Sequence, residues 1–139
     1  MKYVLYFPLL FIVLVIYNVA MMAGANFQEN ATLISIPRLA QETPIALGGA
    51  DLLVGLGIFL LFFEILKATR VSRTTIIDHM LSMSVFIIFL VELLVVDGAG
   101  TAPFILLMLI SLLDVLAGFT ISIATARRDL SIGSPTSVG

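Results

Sequence analysis

Four stretches of this chain stay apolar for about as long as a helix needs to cross a bilayer, roughly 20 residues. They cover residues 3–23, 45–66, 75–96 and 102–125. Within them the apolar runs are continuous, as in FPLLFIVLVIY and FIIFLVELLVV. Strands of a membrane barrel alternate apolar and polar residues instead. In hydrocarbon, backbone N–H and C=O groups must be paired internally, which a helix achieves and an open strand does not. The expected fold is therefore all-α: an integral membrane four-helix bundle, forming a single transmembrane domain over residues 1–130.

Composition points the same way. Of the 139 residues, 60% are hydrophobic and 12% charged, and the mean hydropathy is +1.18. An ordinary soluble domain carries about 25% charged residues, so this chain has too little polar surface to coat a water-soluble fold. The lipid bilayer is its expected solvent. A net charge of −2 offers no basic surface for nucleic acid. The lack of cysteine excludes disulfides, thiol catalysis and iron–sulfur clusters. His79 is the one histidine; alone it makes a poor metal site, and a haem held between two histidines of one chain is ruled out. No metal and no cofactor are expected.

The connectors set the topology. Asp97-Gly98-Ala99-Gly100-Thr101-Ala102-Pro103 reads as a tight turn, with Pro103 suited to the first turn of a helix. Residues 67–74 are short and basic. The connector over residues 24–44 is long and polar, and Pro37 and Pro44 interrupt it; Leu33-Ile34-Ser35-Ile36 within it reads as a short strand or an interfacial segment. Residues 131–139 are rich in Ser, Gly, Thr and Pro, the composition of a disordered cytoplasmic tail.

Lys and Arg favour cytoplasmic loops. Lys2, Lys67, Arg70, Arg73, Arg127 and Arg128 fall on one side of a four-span chain, and only Arg38 on the other. Six against one places both termini in the cytoplasm and connector 24–44 on the exterior or periplasmic side, with a bacterial inner membrane as the expected location. A rival expectation is a cleaved signal peptide ending at Ala23-Gly24-Ala25, which leaves three spans in the same orientation. The sequon Asn30-Ala31-Thr32 in the exterior connector is short and common.

Charges inside a bilayer are rare, costly and usually turned inward. Asp114 falls near the middle of the fourth span. Glu92, Asp51 and Asn18 fall at similar depths in the outer parts of the third, second and first. Helical spacing groups Ser111, Asp114, Gly118, Ser122 and Thr125 on one face, Gly48, Asp51 and Gly55 on another, and Asp78, Ser82, Val85 and Glu92 on a third. Small residues on these stripes let helices approach closely. With no intramembrane Lys or Arg nearby, three carboxyl groups cannot all stay ionised in a dry site. At least one is expected to be protonated and to donate a hydrogen bond. Such a site could exchange a proton, hold a cation or meet a basic residue of another subunit. The plainer alternative is a carboxyl group bonded to Ser, Asn or a carbonyl that locks the bundle. Glu64 and Lys67 are expected to form a local ion pair, Asp78 to meet the dipole at the start of its helix, and His79 to be interfacial.

No phosphate-binding loop, dinucleotide fingerprint or zinc-protease motif occurs, so an enzyme is not expected. The Gly48, Gly49, Gly55 and Gly57 series fits helix packing better than phosphate binding. Two functions follow. The first is a membrane protein that acts by helix packing, as an accessory or assembly subunit or a homo-oligomeric scaffold, with another membrane protein or a second copy as partner. The second is a small proton- or cation-coupled transporter centred on Asp114, with Glu92 and Asp51 in support.

Overall fold

The computed structural model describes residues 7–27, 31–39, 41–69 and 75–132. Four α-helices appear: α1 (Leu10–Met22), α2 (Gly49–Ala68), α3 (Thr75–Val95) and α4 (Ala102–Ile132). Between α1 and α2 stands a hairpin of β1 (Thr32–Arg38) and β2 (Gln41–Gly48). A short 3-10 turn, Asp97–Ala99, joins α3 to α4.

Three of the helices, α2, α3 and α4, are long and apolar enough to cross a membrane. The described part of α1 has 13 residues, or about 20 Å. Pro8 is buried just before it, where a proline interrupts helical hydrogen bonding. The expected span 3–23 is thus helical over 10–22, and residues 1–6 lie outside the described residues. α1 closes on Gly24, at φ 89°. The Ala25 N–H bonds the Ala20 carbonyl at 2.9 Å and the Gly24 N–H bonds that of Met21 at 3.0 Å. This is a Schellman cap, which favours glycine at the left-handed position. The triplet that also fits a cleavage site is here a helix terminus.

The second and fourth spans differ from expectation at one end each. Residues 45–48 belong to β2 and not to the second span: Ile45, Ala46 and Leu47 pair with β1, and Gly48 with its extended backbone starts α2. The connector 24–44 holds β1 and the first four residues of β2. The fourth helix runs on past residue 125 to Ile132, so residues 131 and 132 are helical and not part of a loose tail. Residues 133–139 and the Asn30 of the sequon lie outside the described residues.

The helices pack around one apolar centre. Leu10, Val13, Leu14 and Tyr17 of α1 meet Leu53 of α2, Val85 and Phe89 of α3, and Phe104, Leu107 and Ile110 of α4. Phe104 is its hub, with ring centroids 4.8 Å from Tyr17 and 5.4 Å from Phe89. The outer faces are just as apolar. Ile58, Phe59, Phe62, Phe63 and Leu66 of α2 all stand exposed. A bundle in water would carry polar residues there.

The glycines divide by environment. A Cβ at Gly57 would meet Leu107 Cδ2 at 2.9 Å and Ile110 Cδ1 at 3.5 Å, so Gly57 sets the close approach of α2 to α4. Gly55 was expected on a packing stripe, but a Cβ there would meet nothing within 4 Å. Two residues along a helix turn the side chain by about 200°, so only one of the pair faces the bundle.

Candidate functional site

The alternating helix directions bring the start of α1, the end of α2 and the start of α3 together, at the end of the bundle away from the hairpin. Polar side chains converge there. Lys67 Nζ lies 2.6 Å from Glu64 Oε2 and 2.9 Å from Asp78 Oδ1, and it donates to the Phe7 carbonyl at 3.4 Å. The contact to Asp78 is a charge pair without good hydrogen-bond geometry, so Asp78 Oδ1 has no formal hydrogen-bond donor. Glu64, only 2% exposed, accepts the Leu9 N–H through Oε1. The first N–H groups of a helix have no internal partner and favour an anion. No side chain caps α1 from its own segment; Glu64 does so from α2.

Asp114 faces this cluster from α4. It is buried, shares a hydrogen bond with Ser82, and feels the charges of Glu64, Lys67 and Asp78. Beside it, His79 Nε2 and Ser122 Oγ are 2.6 Å apart. The His79 ring stacks on Phe119 at 5.9 Å and lies over Gly118, where a Cβ would come within 2.5 Å of the ring. His79 is buried, because Gly118 leaves room for the imidazole between α3 and α4. Ser111, one turn from Asp114, is buried with its hydroxyl unpaired.

A second group lies nearer the hairpin. Asn18 Nδ2 donates to Glu92 Oε2 at 2.8 Å and to the Leu14 carbonyl at 3.1 Å. The Tyr17 hydroxyl is 2.7 Å from Thr101 Oγ1 and donates to the Gly98 carbonyl at 3.1 Å. Thr101 Oγ1 also accepts from the Phe104 N–H at 3.3 Å, which helps start α4. Gly98 lets Met21 press against the turn.

The four residues expected to share a polar site are thus divided. Asn18 and Glu92 are bonded to each other. Asp51 is exposed, and its Oδ2 accepts the Gly48 N–H at 2.8 Å, so it caps α2. Asp114 belongs with Glu64, Lys67 and Asp78. The expectation that no Lys or Arg lies near Asp114, Glu92 and Asp51 is corrected for Asp114, which feels the charge of Lys67. Sequence reasoning placed Lys67 in the connector, whereas it is inside α2 with its side chain turned into the bundle. Tyr17 and Thr101 were not anticipated; Tyr17 is a polar-tipped side chain in an otherwise apolar run, which is the only signal it carried.

The arrangement sets the Glu64 and Asp78 carboxyl groups on one ammonium, with Asp114 near enough to feel all three charges. The surplus negative charge can be neutralised by a shared proton or satisfied by further hydrogen bonds. Among the described residues no group of three or more His, Cys, Asp or Glu is arranged to hold a metal ion. Comparison with known families, characterised proteins and solved structures finds no match.

Proposed function

We propose that the chain is a small integral membrane protein of four spans, with both termini in the cytoplasm, that acts by packing as an accessory or assembly subunit or as a homo-oligomeric scaffold. One observation carries this reading: inward polar groups on all four helices pair from helix to helix within the chain. Glu64 ties α2 to α1, Lys67 ties α2 to α3, Asn18–Glu92 ties α1 to α3, and Ser82–Asp114 and His79–Ser122 tie α3 to α4. Interhelical polar contacts of this kind act as glue in hydrocarbon. The outward faces are aliphatic and aromatic, suited to lipid or to other apolar helices. The six-to-one bias of Lys and Arg supports the orientation.

Gentle extraction from membranes, followed by particle mass and mass spectrometry, tests the reading. A stoichiometric larger partner or a defined homo-oligomer is the expected result. A solitary monomer that carries proton flux in vesicles would overturn it.

A second reading draws on the charge imbalance at Asp114. Three carboxyl groups against Lys67 fit a site that takes up and releases a proton, as in a small coupled transporter. Asp114→Asn separates the two. A transporter loses pH-dependent flux while staying folded. A packing protein keeps its assembly, because the amide still bonds Ser82.

A further inference from the structure

The hairpin carries a feature that neither reading uses. Its cross-strand partners Ile34↔Leu47 and Ile36↔Ile45 alternate with Ser35↔Ala46, so four branched aliphatic side chains share one face. That face is uncovered: Ile34, Ile36 and Ile45 are 45%, 45% and 44% exposed. A lone two-stranded hairpin is marginal in water, so a surface of this kind calls for an apolar cover.

We propose that this face rests on the lipid surface beside the N-terminus of α2. The placement rests on the membrane-spanning reading above. α2 has 20 residues, about 30 Å, which matches the hydrocarbon thickness. β2 ends at Gly48 and α2 begins at Gly49 with no linker, so the hairpin starts where the hydrocarbon ends. Ile34–Leu47 and Ile36–Ile45 lie within about 10 Å of that point along the strand. A hairpin laid along the bilayer holds both pairs at headgroup depth, and it brings down Leu39, which is fully exposed in the turn.

Two features disfavour a protein cover. Each strand contains a proline, Pro37 and Pro44, and the ladder is irregular between Ile36 and Arg38; both blunt an edge against strand addition. The face itself offers on the order of a few hundred Å², well below the roughly 800 Å² per partner of a stable protein interface.

The chain contains no tryptophan, so single Ile36→Trp, Ser35→Trp and Phe59→Trp variants are clean reporters. Each is reconstituted in phosphatidylcholine vesicles and read with brominated lipid and with aqueous acrylamide. Ile36→Trp is expected to be quenched by lipid brominated high on the acyl chain several-fold more than Ser35→Trp, and shielded from acrylamide. Ile45→Trp reads the same face from the other strand, should Ile36→Trp disturb the hairpin. Acrylamide access at both Ile positions, with Phe59→Trp quenched by lipid, overturns the placement and leaves the membrane reading standing. Shielding from both quenchers shows a protein cover and overturns it equally. Loss of lipid quenching at Phe59→Trp overturns the membrane reading and the hairpin placement together.

Discussion

Replacing Lys67 by methionine keeps most of the side-chain volume and removes a charge that Glu64 and Asp78 share. The ammonium is 2.6 Å from Glu64 and 2.9 Å from Asp78, and the Glu64 and Asp78 side chains are 2% and 12% exposed. Water therefore does little to screen the carboxylates left behind. Removing one partner of a buried pair typically costs about 3–5 kcal/mol. The Lys67 side chain is itself 15% exposed, and Glu64 retains the Leu9 N–H, so the expected loss is near the lower end, about 3 kcal/mol. Reversible unfolding in mixed micelles, followed by far-ultraviolet circular dichroism, measures it. The double variant Lys67→Met with Glu64→Gln should recover part of the stability, giving a coupling above the roughly 0.5 kcal/mol expected of independent sites. A single Lys67→Met variant within about 1 kcal/mol of the parent, the range of exposed surface pairs, would refute the buried cluster.

Other substitutions probe the packing. Gly118→Ala should cost about 1–3 kcal/mol, because its Cβ drives the His79 ring away from Ser122. Gly55→Ala should instead gain up to about 1 kcal/mol from helix propensity alone, since open space surrounds it; equal effects at the two glycines in the same micelle assay would count against both assignments. Tyr17→Phe should cost about 1 kcal/mol or somewhat more, with loss of the bonds to Thr101 and Gly98, and hydrogen exchange should speed up at the α3–α4 turn. Asn18→Leu and Glu92→Gln, combined in a double-mutant cycle, should couple by about 0.6–1.7 kcal/mol; a coupling of zero would dissolve that contact.

Helix number and type were legible in the sequence because continuous apolar runs leave the backbone one way to satisfy itself in hydrocarbon. The stripes at Asp114, Gly118 and Ser122, and at Asp78 and Ser82, were legible from helical spacing, and each stripe faces the bundle. What spacing along one helix does not contain is which stripe meets which. Local order therefore suggested one site of Asn18, Asp51, Glu92 and Asp114. Packing divided it, because the antiparallel register of α3 and α4 sets Ser82 against Asp114 and leaves Glu92 for Asn18. The same limit applies to Lys67: its pair with Glu64, three residues back on the same helix, was legible, but only the neighbouring helix shows Asp78 meeting the same ammonium. It also hid the hairpin, since Ile45 to Leu47 is apolar enough to belong to a span and becomes a strand only by pairing with Ile34 to Ile36. Sequence by itself determined which segments are apolar enough to be helices in lipid. Tertiary structure alone decided the partners, because the energy of a buried charge depends on what lies within a few ångströms across the bundle, a distance that chain order does not encode.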